Sequence, residues 1–383
     1  MNTGDTAFIL LSALLVWLMS PGLALFYSGI GEEENRTYML KVGLLIIALV
    51  PLLWFLLGYA LAFSSKTSLH SLLSLVCLKG LSLSQSTRGL TISDASFAFF
   101  QGTFAIITVL IITGSVIGRM KTKALLIFLT GWLLLVYAPL ARMVWNNGLI
   151  AKLGAIDFAG GTVVHISSGI TGLTLAILIG KGKEAVRLAP KDAYTFVGGL
   201  LLWLGWFGFN GGSALAANGQ AALAILNTAL ASATGLIAYA CIVERQKRRL
   251  QMADLFNGAL AGLVAITPAA GFVSPLAAVF FGLLAAPLIF WSITKLKDYF
   301  GYQDTLDAFG IHGVGGIFGA LLTGVFASPS FGSPAKGLID GQWQLLFQQF
   351  LGISITIAFT ATLSYCLAKV LQLLMGSLSL EKN

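Results

Sequence analysis

Charged residues make up only 10% of this 383-residue chain, against 57% hydrophobic, and a water-soluble domain of that length carries more than twice as much charge. The scarcity excludes an ordinary soluble globule. Cysteine is equally sparse: Cys77, Cys241 and Cys366 are odd in number and far apart, so neither a disulfide framework nor a thiolate metal site is indicated. Carboxylates are missing where an ion site or an acid–base pair would need them. All fifteen fall in polar segments or at the ends of apolar runs, and no glycine-rich nucleotide loop is present. These absences argue against an enzyme and imply no cofactor and no resident metal.

What remains abundant is long apolar sequence. Runs of spanning length cover residues 7–30, 42–63, 95–117, 124–140, 160–180, 194–215, 221–243, 255–273, 276–294, 305–326 and 345–374, each able to cross a hydrocarbon core of about 30 Å as a helix. In lipid the backbone must satisfy itself, so an all-α integral membrane protein of about eleven transmembrane helices is expected. The segment before the first run, MNTGDTA, carries only Asp5 and lacks the basic flank of a signal peptide, which places the amino terminus outside. With that orientation Lys66, Lys79, Arg88, Arg142, Lys152 and Lys336 face outward, while the other 17 basic residues face the cytoplasm. The net charge of +8 is then a topology signal and no nucleic acid need be invoked. Expected accordingly are a multi-pass protein of the plasma or inner membrane, surrounded by lipid bilayer, and a cytoplasmic carboxyl terminus. Residues 1–376 form the membrane domain; 377–383 are a short tail or the start of a linker.

Two of the three histidines belong to a duplicated signature. In DFAGGTVVHISSGITG, Asp157 precedes His165 by eight residues, and in DTLDAFGIHGVGGIFG, Asp304 precedes His312 by eight. Both continue His-x-x-x-Gly-Ile-x-Gly. The two runs enter from opposite faces, and eight helical residues advance about 12 Å, so both imidazoles are expected to meet near the bilayer midplane. Such a site at the interface of inverted repeats is a transport-site geometry. Without carboxylates, two imidazoles suit a small neutral molecule or a proton relay. Asp157 and Asp304 read as helix caps, and the glycines after each histidine as points of close helix approach. His70, in the first outer loop, reads as solvated or interfacial.

The segments MSPGLALFYSG, FFQGTFAIITV, DFAGGTVVHISSG, WLGWFGFNGGSA, GALAGLVAITPAAG and DAFGIHGVGGIFG resemble the Amt/Mep/Rh ammonium transporters, bacterial Amt type, over nearly the whole chain. The resemblance implies the ammonium transporter fold, with a five-plus-five inverted repeat, and a homotrimer with one pore per subunit. By motif it makes Trp145 and Ser213 the outer vestibule contacts, flanked by Phe100 and Gln101. Phe104 and Phe209 become a stacked gate, and His165 and His312 the paired pore histidines, with Trp206 in the pore wall. It further implies that ammonium is recruited outside, loses a proton near the gate and passes as ammonia along the histidines. Three features depart from that pattern: Arg142 before Met143-Val144-Trp145, which would alter vestibule charge; the acidic run Glu32–Glu34; and the short sequence after Lys369. The last keeps two readings open, a transporter, or an ammonium sensor of the same fold coupled to a cytoplasmic signalling or regulatory partner.

Overall fold

Apolar length and capping residues together set the helices. A computed structural model describes residues 1–31, 33–65, 68–181 and 191–380, and its long helices are α1 (Thr3–Ile30), α2 (Asn35–Phe63), α3 (Asp94–Val116), α4 (122–145), α5 (Gly161–Ile179), α6 (Asp192–Gly212), α7 (Gly219–Arg245), α8 (Met252–Ile266), α9 (Pro275–Phe300), α10 (Phe309–Phe326) and α11 (Gln344–Met375). Among the described residues, nine helices are long and apolar enough to cross a membrane. The remaining two are α6, whose glycines and tryptophans dilute its apolarity, and α8. The latter stops at Ile266, short of the expected 273, because Pro268 has no N–H to continue the ladder. Asn2, Ser93, Asn218 and Ser274 cap α1, α3, α7 and α9, each accepting an orphan amide of the first turn.

The connections alternate between two faces. On the amino-terminal face, the Asn2 amide donates to Thr91 O, the Ala217 amide to the Asp5 carboxylate, and the Phe158 amide to Pro268 O. Opposite it, the Lys191 amide donates to Gly29 O and the Leu306 amide to Gly114 O. Arg119 ties this second face together. Its guanidinium donates to the carbonyls of Ser115, Gln303 and Gly180 and to Thr305 Oγ1, joining the ends of α3 and α5 to the segment before α10. The Lys121 amide donates to Leu378 O and the Leu380 amide to Arg119 O, so residues 378–380 run beside the α3–α4 turn.

α1 lies along α6 more extensively than any other pair, and α5 meets α10 at the centre of the bundle. Close approach there has a stated cause. A Cβ on Gly169 would run into the Gly313 backbone, and one on Gly316 would come within 2.9 Å of Gly161 O and 3.0 Å of His165 Cβ. These two glycines stand four residues after His165 and His312, the same place in both copies of the signature. Around the outside, Leu14, Leu44, Leu135, Ile177, Leu204 and Ile237 are exposed, which suits a lipid solvent.

Candidate functional site

Both aspartates cap the helix that carries their histidine. The Asp157 carboxylate accepts the amides of Gly160, Gly161, Thr162 and Val163 at 2.8, 2.8, 2.7 and 3.2 Å. Asp304 accepts those of Ala308, Phe309 and Gly310 at 3.1, 2.7 and 3.3 Å. Burial pushes both carboxyls up; the four amides oppose that shift at Asp157, and the Ser115 side chain with the Phe309 and Gly310 amides opposes it at Asp304. Each helix opens with a π-turn, Gly161–Ile166 and Phe309–Gly313, a widening that recurs at functional positions. The eight residues from Asp to His are therefore not two helical turns. Half are spent on the cap, where Gly160 takes φ +114°, a left-handed conformation open to glycine. His165 and His312 lie in the π-turns themselves.

The two rings meet. His165 Nδ1 is 3.2 Å from His312 Nδ1, with ring centroids 5.2 Å apart. Trp206 stacks on His165 at 5.3 Å and holds its place by donating Nε1–H to Thr267 Oγ1 at 2.9 Å. Phe209 lies 6.0 Å from His165 and stacks on Phe104 at 4.1 Å, 19° from parallel. Beyond that stack, toward the amino-terminal face, Trp145 stands edge-on to Phe104 at 6.0 Å, and Phe100 packs against Phe104 at 4.9 Å. Trp145 is fixed by Nε1–H donation to Asp157 O at 3.0 Å. Ser213 donates its hydroxyl to Phe209 O at 2.9 Å, which leaves the oxygen lone pairs as acceptors.

One file of contacts thus runs Trp145, Phe104, Phe209, His165, His312. Phe104, Phe209 and His165 are each no more than 1% exposed, whereas Trp145 and Ser213 are half-buried. Past the stack, a cavity bounded by His165, His312, Trp206, Phe209, Tyr27 and Ile107 leaves about 10 Å³ for the centre of a water-sized sphere. That is at the threshold for one water. His165 Nε2 has no hydrogen-bond partner among the described residues, and no cluster of potential metal ligands occurs among them.

Residues 7–383 match the Ammonium Transporter Family. The chain belongs to the ammonium transporter family. It is 44% identical over 385 aligned residues to an ammonium transporter of Bacillus subtilis (strain 168), covering 100% of this chain and 95% of that protein. Among solved structures, Candida albicans Mep2 superposes with a TM-score of 0.92 at 31% identity, over 100% of this chain and 87% of Mep2. A sensor Amt protein superposes with a TM-score of 0.87 at 27% identity, over 99% of this chain and 95% of that one. This ammonium transporter family member is a multi-pass membrane protein.

Of the departures seen in sequence, Arg142 is spent on structure. Its Nη1 donates to Ser64 Oγ at 2.8 Å and Ser64 O at 3.0 Å, tying α4 to the loop after α2. Arg88 lies between Phe63 and Phe97, 4.8 Å from each ring, and donates to Asn146 Oδ1 at 2.9 Å. Glu32, the side chains of Glu33 and Glu34, and residues 381–383 lie outside the described residues. Thr267, which anchors Trp206, went unnoticed in sequence. The available signal was that a tryptophan buried in a membrane helix needs an acceptor for its indole N–H.

Proposed function

We propose that this protein transports ammonium, capturing the cation at Trp145 and Ser213, removing its proton near the Phe104–Phe209 stack and conducting ammonia past His165 and His312, while the released proton crosses by a separate or histidine-assisted route so that net charge moves. The observation that carries the reading is the stack closing over an imidazole pair in a file without carboxylates. An ammonium ion at the half-buried mouth can meet the indole face and the Ser213 lone pairs. A partly desolvated cation–π contact contributes about 1–2 kcal/mol. Beyond the stack, no carboxylate lines the cavity among the described residues, so little offsets the desolvation of a permanent cation. Sodium, which cannot shed a proton, is held back there.

The imidazoles suit neutral ammonia. Two Nδ1 atoms at 3.2 Å require one donor and one acceptor, so the rings hold opposite tautomers. Their Nε2 atoms then differ, one bearing hydrogen and the other a lone pair. Ammonia, both donor and acceptor, can be served by either. Alternation of the loops and the excess of basic residues on the second face support an external amino terminus. Eleven crossings and a homotrimer with one pore per subunit belong to the same proposal.

Reconstituted protein is expected to give an ammonium-dependent current with no sodium current. Trp145→Leu should raise the half-saturating ammonium concentration about tenfold, the equivalent of one cation–π contact. An unchanged value would remove Trp145 from the site. The likeness to a sensor Amt protein supports a second reading, in which ammonium binds and shifts α11 for a cytoplasmic partner. Saturable binding without any current in liposomes would favour it.

A further inference from the structure

The final helix grips the turn from which the mouth of the pore is built. Gln349 of α11 is 2% exposed, and its side-chain amide pairs with the peptide groups of Ile156 in both directions. Oε1 accepts the Ile156 amide at 2.7 Å, and Nε2 donates to Ile156 O at 2.9 Å. The same Nε2 donates to Ala320 O in α10 at 3.1 Å. Ile156 immediately precedes Asp157, whose carbonyl receives the Trp145 indole and whose carboxylate caps α5. One amide therefore fixes the backbone that aims Trp145 and ties it to α10 at Ala320, eight residues beyond His312.

The packing around Gln349 points the same way. A Cβ on Gly352, one turn further along α11, would lie 3.0 Å from Ala155 Cβ and 3.2 Å from Ile150 Cγ2. Gly154 has φ +87°, and a Cβ there would collide with the Gln348 amide. Residues 150–156 are thus laid against α11 with no slack, and Gln349 supplies the hydrogen bonds that set their register. A buried glutamine in an apolar spanning helix costs free energy unless it is fully engaged.

Resting on the ammonium reading above, we infer that Gln349 is a positioning residue for cation capture: it holds Ile156–Asp157 so that the Trp145 ring faces the mouth of the pore. It touches no substrate and acts through Trp145. Its loss should weaken capture and leave passage through the stack and the histidines largely intact.

The test uses ammonium currents of the full chain in liposomes, with Gln349→Met, which keeps length and removes the amide. Loss of these hydrogen bonds should raise the half-saturating ammonium concentration about tenfold, with the maximal current within about twofold of the parent. In a Trp145→Leu background the same substitution should add nothing, because its effect runs through the indole. Ser354→Ala, on the same helix but exposed and hydrogen-bonded to Phe350 O within it, should behave as the parent. Should Gln349→Met yield no protein, Gln349→Glu carries the test, since it keeps the acceptor for Ile156 and replaces the donor. A normal half-saturation in the Gln349 variant, or an effect that adds in full to that of Trp145→Leu, overturns the inference. If Trp145→Leu alone leaves half-saturation unchanged, the capture reading itself has failed, and that outcome is recognised without the Gln349 variants.

Discussion

Asp157→Ala is expected to cost several kcal/mol of stability and most of the yield of assembled protein. Four buried amides, those of Gly160 through Val163, lose their only described acceptor at once. An orphaned buried donor costs about 1–3 kcal/mol, and even after partial relaxation the sum reaches about 3–5 kcal/mol, a large share of a total stability of about 5–15 kcal/mol. Asp304→Ala should cost less, because only three amides depend on that carboxylate and two of the contacts are 3.1 Å or longer. Asp157→Asn retains one acceptor oxygen and should fall between. Thermal unfolding in detergent, with chromatographic monodispersity, measures the order. An Asp157→Ala protein that unfolds with the parent, or an Asp304→Ala protein that is the less stable of the two, contradicts the capping account.

Why these roles were partly legible in sequence follows from the kind of interaction each uses. Apolar runs report burial in lipid directly, and the duplicated Asp and His spacing reports two copies of one element. In sequence alone the Asp-to-His interval reads as eight residues of helix. A carboxylate collecting consecutive amides instead consumes half of the interval, and only Gly160-Gly161 hinted at the break. α8 ended early for the same sort of local reason, Pro268. Arg142 read as vestibule charge because its position beside Trp145 is visible in sequence, whereas its acceptor Ser64 is 78 residues away. Gln349 and Thr267 escape a sequence reading because a pairing between residues far apart in the chain, with backbone for Gln349 and with the Trp206 indole for Thr267, leaves no local pattern. For Gln349 the available cue is an amide among apolar neighbours of a spanning helix, and for Thr267 it is the buried Trp206 indole that needs an acceptor.

His165→Ala is expected to leave the protein folded and to spoil its selectivity. The His165 ring stacks between Trp206 at 5.3 Å and His312 at 5.2 Å, and the Thr162-to-Val163 cap that starts its helix does not depend on the imidazole. Removing the ring joins its volume to a cavity that now has space for about one water. Several waters can then occupy the file below Phe209, and a connected water chain replaces the hydration that the apolar path denies to alkali cations. Sodium or potassium current relative to ammonium current should rise at least about tenfold, equivalent to about 1.4 kcal/mol of barrier. His312→Ala should act in the same direction, since each ring is the other's Nδ1 partner. Phe104→Trp should do the opposite: with Phe209 already stacked at 4.1 Å, a larger ring overfills the gate, and ammonium current should fall while ammonium binding at Trp145 persists. If both histidine variants keep the parent's selectivity in proteoliposomes, the imidazole pair is not the filter. If they fail to assemble while Asp157→Ala assembles normally, the structural and functional roles of these residues are the reverse of those assigned.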